Sequence, residues 1–139
     1  MNVLVDTPVW SVFLRRQAKH LSPEQARIRA ELVELIREGR VQIIGPIRQE
    51  LLSGIREEVQ YRTLRDRLRA FDDLPLLSVD YEEAAHASNH CRARGITGSP
   101  IDFLICAAAI RRSWRVFTTD RDFSHYARHI PLRLHLPRP

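Results

Sequence analysis

Asn2-Val3-Leu4-Val5-Asp6-Thr7-Pro8-Val9-Trp10 is the stretch that decides the fold. Asn2 to Val5 is a short apolar run closed by an acid, without polar alternation, which is the pattern of a strand buried on both faces. From Pro8 to Arg15 the spacing turns helical, with Val9, Phe13 and Trp10 facing inward, and proline suits a first helical turn. A buried strand that gives way at once to a helix is the unit from which parallel α/β sheets are built.

The rest of the chain repeats that alternation. Ser22-Pro23-Glu24-Gln25 is a helix start, since Ser22 can cap, Pro23 fits the first position and Gln25 can reach back. That helix buries Ile28, Leu32, Leu35 and Ile36 before Gly39 stops it. Val41 to Ile44 is a second buried strand, and a helix from Pro46 carries Ile47, Glu50, Leu51 and Leu52 up to Gly54. Tyr61, Leu64, Leu68 and Phe71 recur at helical intervals between Glu57 and Phe71, beside a stripe of Arg62, Arg65 and Arg69. Asp80-Tyr81-Glu82-Glu83 begins another helix in capping-box fashion; its small residues Ala84, Ala87, Ser88 and Cys91 permit close packing before Gly95 ends it.

Ser99-Pro100-Ile101-Asp102 opens the most apolar helix, running to about Ser113 with Ile101, Leu104, Ile105 and Ala108 on one face, and this is the expected central helix. Arg115 to Thr118 is a strand, a short helix follows to about Arg128, and a last strand is expected near Leu132 to His135. The expected architecture is a single α/β domain over residues 1–139, with helices on both faces of a mostly parallel sheet of four to five short strands.

Composition excludes several classes of function. At 139 residues the chain can bury roughly two-thirds of its unfolded surface and hold a core without metal or disulfide staples. Its longest apolar run, Phe103 to Ile110, is far short of the ~20 residues of a membrane-spanning helix. The first residues carry no basic start or small-residue cleavage site, so a cytoplasmic location is expected. Cys91 and Cys106 are not in CxxC spacing and are expected to be packing residues. The five glycines form neither GxGxxG nor a P-loop, and no GxSxG is present. The 22 basic residues outnumber the 17 acidic ones, a net charge of +5 that permits a polyanionic partner.

The acids are informative because of where the alternation puts them. Asp6 lies at the carboxyl end of the first strand and Asp120 just past the strand that ends at Thr118. Asp102 and Glu50 lie near the starts of helices, which in a parallel sheet begin at that same edge, where such folds place function. Each alone is an ordinary turn, cap or helix-start residue. Together they repel, since two carboxylates ~5 Å apart cost on the order of 3 kcal/mol at an effective dielectric near 20. Protons or a divalent cation must offset that, and an oxygen-only ligand set favours Mg²⁺ or Mn²⁺ over zinc or copper. Carboxylate-held Mg²⁺ is suited to phosphoryl chemistry.

Four ordered motifs, Asp6-Thr7-Pro8-Val9-Trp10, Gln49-Glu50-Leu51-Leu52-Ser53-Gly54, Pro100-Ile101-Asp102-Phe103-Leu104-Ile105 with Ala107-Ala108-Ala109, and Phe117-Thr118-Thr119-Asp120-Arg121-Asp122-Phe123, resemble the PIN-domain ribonucleases in order and spacing. The small single-domain form is similar to the VapC toxins of VapBC toxin-antitoxin pairs, and the resemblance covers essentially the whole chain. It implies a PIN-like three-layer sandwich and an endoribonuclease that uses Mg²⁺ or Mn²⁺ to leave 5′-phosphate and 3′-hydroxyl ends. Carried over by position, Asp6, Glu50, Asp102 and Asp120 are the catalytic and metal-holding acids and Asp122 an auxiliary fifth. The Thr118 hydroxyl would brace the site, and Thr7 would cap the first helix or orient Asp6. Pro8 stands where the family often has Ser or another small residue. A VapB-like antitoxin and a homodimer are also implied.

Other readings remain beside this one. A receiver-like or phosphatase-like phosphoryl-transfer domain also gathers acids at a sheet edge, but needs a lysine near the phosphate, and Lys19 is the only lysine. A non-catalytic RNA- or antitoxin-binding module is the other alternative. His86 and His90, like His125 and His129, have the spacing of a helical zinc pair, yet lack the HExxH glutamate and an evident third ligand, and read as surface or packing histidines. Arg62, Arg65 and Arg69 can grip RNA phosphate or pair with Glu58 and Asp66 on their own helix.

Overall fold

The computed structural model describes residues 1–15 and 18–139. Its strands are β1 (Val3–Val5), β2 (Val41–Gln42) and β3 (Arg115–Phe117), and its helices α1 (Thr7–Arg15), α2 (Pro23–Arg37), α3 (Gly45–Leu52), α4 (Glu58–Leu68), α5 (Ser78–Arg92), α6 (Pro100–Arg111) and α7 (Asp122–Tyr126). The sheet is parallel, in the order β2-β1-β3, with Val3 opposite Val41 and Arg115, and Val5 opposite Phe117. The Asp6 amide continues the pairing by donating to the Phe117 carbonyl at 2.9 Å.

Among the described residues the sheet has three strands, fewer than the four to five expected. The expected last strand is reduced to a single bridge between Leu134 and Val116, and a second bridge joins Asp73 to Ile43 beside β2. The Val116 amide donates to the Arg133 carbonyl and the His135 amide to that of Val116. Pro131 and Pro137 flank this segment, and neither has an N–H with which to prolong the ladder.

α6 is the central helix, buried on every side from Phe103 to Ala109. Its run of Cys106, Ala107, Ala108 and Ala109 brings neighbouring backbone close, and α5 packs against it through Ala84 and Cys91. Cys91 and Cys106 are free and buried, in keeping with the packing reading. Ile101 instead is exposed, because it sits in the first turn of α6, beyond the edge of the core. Trp10 is wholly buried, donates from Nε1 to the Val5 carbonyl at 3.0 Å and meets the Phe71 ring edge-on. Trp114 is half-buried beneath the Arg112 guanidinium. The Ser22–Gln25 capping box is present in both directions, at 3.1 and 3.0 Å.

Asp80 takes the helix-start capping role expected of it and a second one besides. It lies in the first turn of α5, wholly buried, and binds Arg111 at 2.6 Å and Arg112 at 2.8 and 3.0 Å while accepting the Leu77 amide. The ion cluster locks α5 to the end of α6. No helix among the described residues is long and apolar enough to cross a membrane.

Candidate active site

α1, α3 and α7 follow β1, β2 and β3 almost directly, so their first turns lie along the carboxyl edge of the sheet. Asp6 occupies the junction of β1 and α1 and is only 6% exposed. Thr118, just past β3, donates its hydroxyl to Asp6 Oδ2 at 2.7 Å, and the Thr7 amide donates to Oδ1 at 2.8 Å. The same Thr118 oxygen accepts the Asp120 amide at 3.0 Å, so one threonine ties two acids of separate segments together. Asp120 Oδ1 in turn accepts the Asp122 amide at 2.9 Å, which starts α7.

Glu50 lies in the second turn of α3, because that helix begins at Gly45, one residue before the expected Pro46. It reaches the site through the Thr7 hydroxyl, which donates to Glu50 Oε2 at 2.9 Å. Thr7 therefore braces two acids, Asp6 by its amide and Glu50 by its hydroxyl. Asp102 lies in the first turn of α6, its amide capped by Ser99 Oγ at 3.1 Å, and its Oδ2 accepts the Tyr126 hydroxyl at 2.8 Å.

No arginine or lysine forms an ion pair with any of these five acids among the described residues, and their electrostatics follow. Burial pushes the Asp6 carboxyl up to about 6, against the lowering effect of Thr118 and Thr7, and the charges of Asp102 and Glu50 push it further. Burial also raises Asp102, with Asp120 and Asp122 adding to it while Tyr126 and Ser99 pull the other way. Asp6 thus feels Asp102 and Glu50, and Asp102 feels Asp120 and Asp122, which makes one electrostatic constellation of the five acids named from the sequence.

Among the described residues, no three Asp, Glu, His or Cys side chains are gathered tightly enough to hold a metal ion as they stand. The chemistry of the donors nevertheless fits a hard divalent cation. All are carboxylate oxygens, the first of them is buried without a cationic partner, and the hydroxyls and amides that hold them leave lone pairs unused. Glu50 is exposed and Asp120 half-buried, so neither side chain is locked by packing.

The rival features fall elsewhere. Lys19 is exposed in the short helical turn Ala18–His20 and forms no ion pair with any of these acids among the described residues. His86, His90 and His129 line one cavity of about 240 Å³ between α5 and the end of α6, but do not form a metal cluster. Arg62 pairs with Glu58 at 3.1 Å, and Arg65 and Arg69 with Asp66 at 3.1 and 3.7 Å, which favours the ion-paired reading of that stripe. Tyr126 is a site residue that sequence reasoning missed. The available signal was a polar-tipped aromatic three residues after Phe123, on the short helix that follows the TxDxDF motif.

A PIN-domain family model matches residues 3–129. The chain is 32% identical over 131 residues to ribonuclease VapC11 of Mycobacterium tuberculosis, covering 91% of this chain and 92% of the relative. The VapC ribonuclease Mb1587 of Mycobacterium bovis matches with the same identity and coverage. Among solved structures, FitAcB of Neisseria gonorrhoeae superposes with a TM-score of 0.75 at 25% identity, over 97% of both chains. VapBC2 of Rickettsia felis, bound to a DNA fragment from its promoter, superposes with a TM-score of 0.75 over 97% of this chain and 98% of that one; at 16% identity it bears on the fold alone.

Proposed function

Because the chain belongs to the PIN-domain family, among its VapC ribonucleases, we propose that it is the toxin of a type II toxin-antitoxin pair, a cytoplasmic endoribonuclease that hydrolyses RNA phosphodiester bonds with Mg²⁺ or Mn²⁺. Asp6, Glu50, Asp102 and Asp120 are its proposed metal-holding and catalytic acids, with Asp122 auxiliary. The observation that carries this reading is Asp6, an aspartate buried without a cation and pushed up to about 6 while facing two further carboxylates.

A bound divalent cation supplies Lewis-acid polarisation of a phosphoryl oxygen and lowers the pKa of the attacking water. The chain's own part is to keep the acids in place. Thr118 holds Asp6 against Asp120, Thr7 holds Asp6 against Glu50, and Asp122 extends the negative edge. The net charge of +5 permits a polyanionic substrate despite the acids gathered at that edge.

An antitoxin partner is part of the proposal, supported by the VapC relatives and by the solved FitAcB structure. So is a homodimer, for which Leu77, Tyr81 and Ile101 offer exposed apolar surface on α5, at its start and on α6.

The test is incubation of partner-free protein with total cellular RNA and Mg²⁺ or Mn²⁺, beside an EDTA control and the Asp102→Asn variant, with the cut ends mapped. Discrete cuts absent from both controls are expected. Folded protein that binds Mn²⁺ yet cuts no RNA would favour the binding-module reading instead.

A further inference from the structure

The geometry points to Tyr126 as a positioning residue for Asp102, and to Gly98 as the residue whose missing side chain leaves room for it. The inference rests on the metal-site reading above and assigns a residue pair that the motifs do not contain.

Main-chain and side-chain freedom are separately restricted at Asp102. Its backbone is pinned in the first turn of α6 by the Ser99 cap, which leaves the carboxylate free to turn about its side-chain torsions. The Tyr126 hydroxyl removes that freedom by donating to Oδ2 at 2.8 Å. The donor itself is fixed. Tyr126 is wholly buried, its ring 4.8 Å from that of Phe103 and 5.3 Å from that of Phe123, so the phenol cannot swing to another acceptor. Phe103 is the residue after Asp102, so the same helix turn grips the ring and receives its hydroxyl.

Gly98 shows that this placement is built in. A Cβ at residue 98 would fall on the Tyr126 hydroxyl, 2.7 Å from Cζ and 3.1 Å from Cε2 of Phe103. Gly39, Gly54 and Gly95 have positive φ, which accounts for them as turn residues. Gly98 does not, so its backbone suits any residue and only the space requires glycine. With Oδ2 held by the phenol, the other carboxylate oxygen of Asp102 is presented in one orientation. Three acids then share one device: a hydroxyl from another segment, Thr118 for Asp6, Thr7 for Glu50 and Tyr126 for Asp102, holds one oxygen of each.

Tyr126→Phe removes the hydroxyl and keeps the ring packing. We expect it to weaken Mn²⁺ binding, measured by calorimetry, about 10- to 100-fold, the usual effect of losing a partner that orients a ligand. The melting temperature should stay within about 5 °C of the parent, and a crystal structure should show the Asp102 carboxylate turned or in several orientations. Gly98→Ala should lower Mn²⁺ affinity similarly, and the double variant should lose little more than either single one, since both act through one hydrogen bond. Unchanged Mn²⁺ affinity with Asp102 in its parental orientation overturns the proposal, whatever the melting temperature does. If the parent itself binds no Mn²⁺, the metal reading falls, and the Asp102 orientation in Tyr126→Phe still decides whether the phenol positions it.

Discussion

Asp6 and Asp80 are both buried aspartates in a chain rich in arginine, and their surroundings drive them in opposite directions. Asp80, at the α5–α6 junction, is held well below the ordinary carboxylate range, chiefly by Arg112, with the Leu77 amide and Arg111 adding to it against the effect of burial. Asp6, at the sheet edge, has only hydroxyl and amide donors and is pushed up to about 6. One carboxylate has its charge neutralised by the fold. The other is left for something outside the chain to neutralise, which is the condition expected of a site that takes up a cation.

The most severe way to break this contrast is to remove the charge at the sheet edge and follow function. Asp6→Asn should lower the initial rate of Mg²⁺-dependent RNA cleavage by at least about 10³-fold, equivalent to about 4 kcal/mol, with the circular dichroism spectrum unchanged. A variant that cleaves at the parental rate would remove Asp6 from the reaction centre.

Asp80→Asn should act on stability instead. It leaves two guanidiniums without their shared carboxylate, and breaking a buried pair costs about 3–5 kcal/mol. The lower end is expected, because Arg111 and Arg112 keep 29% and 17% of their side-chain exposure. Urea unfolding measures it, and cleavage by the molecules that remain folded should persist. Loss of cleavage without loss of stability would mean the two regions are coupled.

The sharpest comparison is the pH dependence of stability in metal-free protein. The folded value of Asp6, about 6, lies above its ordinary 3.8, so the folded state binds the proton more tightly. Its contribution is therefore complete below about pH 4 and lost as the pH rises through 6. Asn does not titrate, so Asp6→Asn should be more stable than the parent at pH 7, by an amount on the order of 2–3 kcal/mol, and the gain should vanish near pH 4. Asp80 has the opposite sign, its contribution being present above its ordinary 3.8 and lost as the pH falls below it. An Asp6→Asn advantage that grows toward low pH would contradict the assignment. As the smallest effect, Arg62→Ala should change stability by less than about 0.5 kcal/mol, since its partner Glu58 is exposed on the same helix.

The placement of Asp6, Asp102, Asp120 and Asp122 was legible in the sequence because each lies close to where a strand ends or a helix begins, and those boundaries are local; Glu50, in the second turn of α3, was placed less closely. Thr118 and Thr7 were legible as bracing residues within the same motifs, although the bond from Thr7 to Glu50 spans 43 positions and only the structure shows it. Asp80 was legible as a capping acid but not as an ion-paired one, for a related reason. A capping acid and a buried ion-paired acid look alike in sequence when the arginines that distinguish them lie 31 and 32 residues away. The segment from Leu132 to His135, expected as a strand, forms only a single bridge, because extended backbone lacks a ladder until a neighbour lies along its whole length.

Local physics therefore determined what this chain is made of: short buried strands separated by helices, which lets them pair in parallel, helices started by Ser22, Ser99 and proline, and acids near the ends of those elements. Only tertiary structure decided which charges were left unneutralised. It put Arg111 and Arg112 on Asp80, uncharged donors on Asp6, Glu50 and Asp102, and the Tyr126 phenol into the space that Gly98 leaves open. The physical reason is that backbone preference acts over a few neighbouring residues, whereas solvation, ion pairing and close packing depend on which distant side chains the fold brings together.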